Sequence, residues 1–131
     1  MSAAVDASVV IAWQTPGHVF HARAVAMLGL ADPPLYLNEL NLAEVLVGMD
    51  RPVWSDAMAA LVDVGFVFSP VNAVDVAAAR LDSKLRLPGA CVLATAQTTG
   101  ADTVLTFDSA LASAATALGY GAAQETRPST G

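Results

Sequence analysis

Short apolar segments alternate with longer helical segments along most of the chain, and this alternation restricts its fold more than any other feature. Parallel strands need long crossover connections, which are usually helices. The pattern therefore predicts an α/β fold with a mostly parallel sheet of four to five strands flanked by helices. The predicted strands are residues 2–5, 35–37, 66–68 and 103–106, and a fifth candidate begins at Tyr120. The predicted helices are residues 7–14, 18–30, 38–48, 50–65, 73–85, 90–99 and 109–117.

The apolar residues of two predicted helices differ in pattern. The helix at 73–85 carries Val74, Ala77, Ala78 and Leu81 at helical spacing. The helix at 90–99 is apolar and small almost throughout, which predicts that it is buried. We expect one domain over residues 1–123, because 131 residues suffice for a single core. The polar segment 124–131 is predicted to be a disordered tail.

The composition of the chain argues against disordered, membrane-spanning, disulfide-bonded and secreted proteins. Hydrophobic residues make up 55% of the chain, which argues against global disorder, and no apolar run is convincing as a membrane span. The single cysteine, Cys91, rules out an internal disulfide and suits a reducing compartment. The N-terminus lacks the basic region of a signal peptide. We therefore expect a cytoplasmic protein.

Acidic residues outnumber basic ones, 12 Asp plus Glu against 6 Lys plus Arg, for a formal charge of −6. This balance argues against a broad basic face that binds nucleic acid. It does not exclude a nuclease, because a bound divalent cation can supply the positive charge that meets phosphate.

Three carboxylates occupy related positions in the predicted topology. Asp6 follows the first strand, Asp108 follows the strand at 103–106, and Glu44 lies in an apolar stretch of the helix after the second strand. Because carboxyl ends of parallel strands share one edge of a sheet, these acids can converge. Converging carboxylates repel one another unless a hard cation such as Mg²⁺ or Mn²⁺ neutralises them. The alternative is that each acid caps a helix or faces water, and Asp6 is well placed for a cap.

Four segments resemble the PIN-domain proteins, and most closely the VapC toxins of bacterial toxin–antitoxin pairs. They are residues 1–8 (MSAAVDAS), 42–46 (LAEVL), 86–96 (RLPGACVLATA) and 105–108 (LTFD), in the family's order and spacing. The resemblance implies a three-layer α/β sandwich and a Mg²⁺- or Mn²⁺-dependent endoribonuclease with Asp6, Glu44 and Asp108 as metal-binding acids. It also implies an RNA substrate, inhibition by a VapB-type antitoxin, and a homodimer.

One position departs from the family pattern. An acid usually follows Leu-Pro in the third of these segments, and this chain has Gly89 there. Losing one carboxylate should weaken metal binding, because site charge and ligand count set the affinity for hard cations. Gly89 is either a natural feature of an altered site or an inactivating substitution. Asp102 precedes its strand and so belongs at the opposite edge of the sheet, and Asp82 has no evident place in the site.

Five further residues are weaker candidates. Ser8 and Thr106 lie close in sequence to predicted acids and can hydrogen-bond a carboxylate, although such residues more often satisfy turns. Arg80, Lys84 and Arg86 form a basic cluster that either faces solvent or contacts the RNA backbone.

Two other functions compete with the nuclease. The chain can be a catalytically inactive PIN-like binding module. It can also be a phosphoacceptor receiver-like domain. Such a domain requires an acid after the middle strand, where this chain has Ser69 and Pro70.

Overall fold

The computed structural model describes residues 1–123, so the predicted tail at 124–131 lies outside the described residues. The five strands are β1 (Ala3–Val5), β2 (Leu35–Asn38), β3 (Phe66–Ser69), β4 (Thr103–Leu105) and β5 (Gly121–Ala123). The α-helices are α1 (Ala7–Gln14), α2 (His21–Leu30), α3 (Glu39–Val47), α4 (Trp54–Val64), α5 (Ala73–Ser83), α6 (Leu87–Thr99) and α7 (Ser109–Ala117). A short 3-10 turn, Arg51–Val53, precedes α4.

The five strands form one sheet in the order β3-β2-β1-β4-β5, and every neighbouring pair is parallel. The predicted parallel α/β architecture is therefore confirmed. β1 lies at the centre, where Ala4 is in register with Tyr36 of β2 and with Val104 of β4. From β1 the chain adds β2 and β3 on one side, then returns to add β4 and β5 on the other. The direction of strand addition thus reverses between β1 and β4, and such a reversal opens a crevice at the carboxyl ends of the strands.

Apolar layers cover both faces of the sheet. Side chains alternate between the faces along each strand, so Ala3 and Val5 of β1 pack with α1, α2 and α3, while Ala4 packs with α6. Helix α6 is buried from Ala90 to Ala96, as its composition predicts. Among residues 1–123, no helix has both the length and the apolar character needed to cross a membrane.

Helix α5 buries a different face from the one its apolar spacing suggests. Val76 and Ala79 are buried, whereas Val74 and Leu81 are 77% and 78% exposed. The cause is the layering, since α5 packs mainly on α6, and α6 rather than α5 lies against the sheet. One narrow face of α5 is enough for that contact.

Several element boundaries differ from the sequence-based expectation by a few residues. Helix α2 begins at His21 rather than at residue 18, because the Phe20 amide donates to Nδ1 of His18 and holds this segment as a turn. Helix α6 begins three residues early, at Leu87, and places Pro88 in its first turn, where proline is tolerated. Asn38 is both the last residue of β2 and the N-cap of α3.

Candidate active site at the switch point of the sheet

A cleft of about 350 Å³ opens at the carboxyl end of β1, where the direction of strand addition reverses. Asp6, Glu44 and Asp108 all line it, so the acids that the topology was expected to bring together share one cleft. The other lining residues are Ala7, Ser8, Ile11, Arg86, Pro88 and Gly89.

Asp6 occupies the N-cap position of α1, but its side chain makes no capping hydrogen bond. Its Oδ2 instead accepts two hydroxyl hydrogen bonds, from Ser8 Oγ at 2.8 Å and from Thr106 Oγ1 at 2.7 Å. Its Oδ1 receives no hydrogen bond from residues 1–123. The capping interpretation is therefore wrong for Asp6, and one carboxylate oxygen stays available to a ligand.

The two hydroxyls that hold Asp6 also accept hydrogen bonds from the turn after β4. The Asp108 amide donates to Thr106 Oγ1 at 2.9 Å, and the Phe107 amide donates to Ser8 Oγ at 3.4 Å. Each hydroxyl thus uses its donor on Asp6 and an acceptor lone pair on the opposite segment. Ser8 and Thr106 join the β1–α1 turn to the β4–α7 turn across the site.

Glu44 reaches the cleft from the middle of α3 and is half-buried. Its Oε1 is fully buried and has no hydrogen-bond partner among residues 1–123. Burial raises the pKa of this carboxyl above its ordinary value, and the charge of Asp6 raises it further. An ionised Glu44 is thus penalised by lost hydration and by a like charge, and a cation between the two carboxylates would relieve both penalties.

Asp108 serves as a helix cap, unlike Asp6. Its Oδ1 accepts from the amides of Ala110 at 2.8 Å and Leu111 at 3.3 Å, at the start of α7. Its Oδ2 accepts nothing within the described part of the chain. Over residues 1–123, no three His, Cys, Asp or Glu side chains are arranged as a ready metal-binding group. The site is therefore an electrostatically coupled pair, Asp6 and Glu44, with Asp108 on the wall of the same cleft.

Gly89 lies in the first turn of α6 and lines the cleft. A Cβ at this position would lie 3.7 Å from Leu85 Cβ and 4.0 Å from Leu111 Cβ, which are ordinary contact distances. The backbone therefore has room for a side chain here. The position where the resemblance leads us to expect an acid is open to the same cleft as Asp6 and Glu44.

Of the three predicted basic residues, only Arg86 lines the cleft. It is exposed, and the only ion pair within residues 1–123 is elsewhere, between the N-terminus and Asp32, so Arg86 pairs with no acid there. Arg80 and Lys84 are exposed on or just after α5 and do not line the cleft.

Two acids that the sequence analysis set apart also lie away from the cleft. Asp102 is at the opposite edge of the sheet, as expected, where its Oδ2 accepts from the Ser2 amide at 3.0 Å. Asp82 is exposed on α5 and does not line the cleft.

Asn41 also contacts the segments that line the cleft, and this role was not predicted from the sequence. This residue is fully buried and its side chain hydrogen-bonds Ala7, Asn38 and Pro88, two of which line the cleft. The signal available was an amide inside the apolar run around Leu42, three residues before Glu44. A polar residue is rarely placed there without partners.

The chemistry of these donors fits a divalent cation. Asp6 and Glu44 each present a carboxylate oxygen that receives no hydrogen bond from the described part of the chain, and hard cations take oxygen ligands. Asp6 and Glu44 would hold such an ion, and Asp108 could add its free oxygen.

Comparison with known proteins decides the family. The sequence model of the PIN domain matches residues 3–117, which is most of the chain. This chain belongs to the PIN-domain family. The resemblance drawn from the four sequence segments is therefore confirmed, and the receiver-like alternative is wrong.

Solved structures show the same fold as this PIN domain. One is VapC20 of Mycobacterium tuberculosis, described as a sarcin–ricin loop-cleaving toxin, with a TM-score of 0.71 and 18% identity over 98% of this chain and 100% of that one. Another is a toxin–antitoxin complex from Klebsiella pneumoniae, with a TM-score of 0.66 and 22% identity over 82% of this chain and 87% of that one. No curated protein matches the chain by sequence.

Proposed function

We propose that this PIN domain is a VapC-type toxin, a Mg²⁺- or Mn²⁺-dependent endoribonuclease with Asp6, Glu44 and Asp108 as its catalytic, metal-binding acids. The observation that carries the proposal is the carboxylate pair. Among residues 1–123 the buried Glu44 oxygen has no hydrogen-bond partner and Asp6 has an open oxygen, and burial together with the charge of Asp6 raises the pKa of Glu44. Such a pair is costly for the fold and is typical of functional sites.

The residues of the cleft divide the work of phosphodiester hydrolysis. A bound divalent cation would supply a water of lowered pKa and Lewis-acid stabilisation of the phosphate. Ser8 and Thr106 fix the orientation of Asp6, so its open oxygen needs no reorganisation when a ligand arrives. Arg86, exposed at the cleft and without an ion pair among residues 1–123, would bind an RNA phosphate, and the exposed Arg80 and Lys84 would add weaker backbone contacts.

Partners follow from the same assignment. We propose inhibition by a VapB-type antitoxin, homodimer formation and action in the cytoplasm. A likeness in fold to a chain from a toxin–antitoxin complex supports the first. Oligomeric state is measured directly by light scattering during size-exclusion chromatography, and a monomer at micromolar concentration would contradict the dimer.

The central experiment measures RNA cleavage by purified protein with Mg²⁺ or Mn²⁺. Asp6→Asn should abolish cleavage, because it removes a charge from the carboxylate pair while keeping the shape of the side chain. Asp102→Asn is the matched control, since Asp102 lies at the opposite edge of the sheet and should leave the rate unchanged. Equal cleavage by wild type and Asp6→Asn, or cleavage in excess chelator, would refute the proposal.

The second candidate is a catalytically inactive PIN-like binding module, and Gly89 is the observation that favours it. If cleavage and growth toxicity appear only after Gly89→Asp, the chain that carries Gly89 is inactive as a nuclease. A crystal soaked in Mn²⁺ gives an independent answer. Anomalous density between Asp6 and Glu44 would support the metal site in the chain as it stands, and density only in Gly89→Asp would support the binding module.

A further inference from the structure

Asn41 is fully buried, and every hydrogen-bonding group of its side chain is used. Its Oδ1 accepts from the Ala7 amide at 3.0 Å. Its Nδ2 donates to Asn38 Oδ1 at 3.1 Å and to the Pro88 carbonyl at 3.4 Å. A buried amide without partners is costly, so this complete set of bonds holds Asn41 in a single orientation.

These hydrogen bonds reach the segments that carry the site. Ala7 directly follows Asp6, Pro88 directly precedes Gly89, and Asn41 lies three residues before Glu44 on the same helix. None of the bonds goes to an acid itself. Asn41 therefore fixes the backbone positions from which the acids and the first turn of α6 meet.

The bond to Ala7 fixes the residue that directly follows Asp6. An N-cap side chain bonds the second or third amide of its helix, so the first amide of α1, that of Ala7, needs a partner from another segment, and Asn41 supplies it. Asp6 itself makes no capping bond within the described residues. Its carboxylate is left to Ser8, Thr106 and the cleft.

We propose that Asn41 is a positioning residue of this site: it satisfies the first amide of α1, directly after Asp6, and ties the α1, α3 and α6 ends of the cleft together. The expected effect on cleavage rests on the proposed nuclease function. The expected effect on Asp6 and Ala7 does not.

The cleavage test compares Asn41→Ala with Asn72→Ala. Asn72 is the matched control because it caps α5 through the Asp75 amide, away from the cleft. At a temperature where all variants are folded, Asn41→Ala should lower kcat at least tenfold with KM for RNA within twofold. Asn72→Ala should change neither. A lower melting temperature for Asn41→Ala with an unchanged kcat would overturn the proposal.

A double-mutant cycle with Ala7→Pro isolates the hydrogen bond between the Ala7 amide and Asn41. Proline has no amide hydrogen, suits the first position of a helix, and accepts the extended backbone of Asp6, whose ψ is 147°. Asn41→Ala should therefore cost less than threefold in kcat when Ala7→Pro is also present. An equal cost in both backgrounds would show that the Ala7 bond is not how Asn41 acts.

Two structural measurements keep the proposal falsifiable if the wild-type chain cleaves no RNA. Amide hydrogen exchange at Ala7 should speed up at least tenfold in Asn41→Ala and stay unchanged in Asn72→Ala. A crystal structure of Asn41→Ala should show the Asp6 carboxylate displaced from Thr106. Unchanged exchange at Ala7, with Asp6 still bonded to Thr106, would overturn the positioning role. Absence of cleavage by the wild-type chain would count only against the proposed nuclease function.

Discussion

The substitution Gly89→Asp tests how the cleft treats an added carboxylate. A side chain at this position meets Leu85 and Leu111 at ordinary contact distances, so no steric cost is expected. Replacing glycine inside a helix should gain about 0.3–1 kcal/mol. A carboxylate in the first turn of α6 should gain a further roughly 0.3–1 kcal/mol from the helix dipole. The acids already in the cleft, Asp6 and Glu44, oppose that second gain.

The assay is urea unfolding of wild type, Gly89→Asp and the uncharged control Gly89→Asn, each in chelator and in Mg²⁺. In chelator, Gly89→Asn should be the more stable of the two variants, because the third carboxylate repels the existing pair. In Mg²⁺ Gly89→Asp should be the more stable variant, because its added carboxylate raises the affinity for the cation. Each tenfold gain in that affinity adds about 1.4 kcal/mol to the free energy of unfolding at saturation. RNA cleavage by Gly89→Asp should rise in parallel.

One result would refute this reasoning. If Mg²⁺ stabilises Gly89→Asp and Gly89→Asn by the same amount, the carboxylate at this position does not contribute to cation binding. Position 89 would then lie outside the cation site, and its side chain would matter only for helix stability.

Three further predictions test the packing and electrostatics. Glu44→Gln should stabilise the metal-free protein at pH 8. Because the pKa of Glu44 is raised, the folded chain binds its proton more tightly than the unfolded chain does. Wild-type stability therefore falls as pH rises from about 4.5 through the raised pKa. In urea unfolding the advantage should vanish below about pH 4, and a less stable Glu44→Gln at pH 8 would contradict the burial penalty. Val76→Ala should cost about 1–3 kcal/mol, while Val74→Ala, on the exposed face of α5, should stay within about 0.5 kcal/mol; equal losses in thermal unfolding would contradict this packing. Thr106→Val should cost about 1–3 kcal/mol and slow cleavage, because Asp6 loses a donor and the Asp108 amide loses its acceptor; unchanged stability and rate would contradict the bridging role.

The parallel sheet could be predicted because strand and helix periods alternate, and that pattern leaves few topologies. The convergence of Asp6, Glu44 and Asp108 followed from the topology, since it needs only the shared edge of parallel strands. The buried face of α5 could not be predicted, because spacing marks Val74 and Leu81 as one face but does not say what that face meets. Its orientation depends on α6, which takes the place against the sheet.

Which of the acids caps its helix could not be predicted from the sequence either. Asp6 and Asp108 both precede helices, and capping preference treats them alike. They differ because the hydroxyls of Ser8 and Thr106 hold Asp6 Oδ2, whereas Asp108 Oδ1 bonds the Ala110 and Leu111 amides of its own helix. Arg86 joins the cleft and Arg80 does not, because α6 begins at the cleft, with Arg86 as its N-cap.

The position of the site between β1 and β4 also bears on when the proposed nuclease could become active in a newly made chain. Thr106, which holds Asp6, lies just after β4, and β1 stays without this neighbour until residues 103–105 are available to pair with it. A ribosome-bound chain carries Asp6 and Glu44 long before it carries Thr106. Such a nascent chain holds two of the acids but not the arrangement that orients Asp6, so the proposed nuclease could not act before Thr106 has been made and β4 has paired with β1.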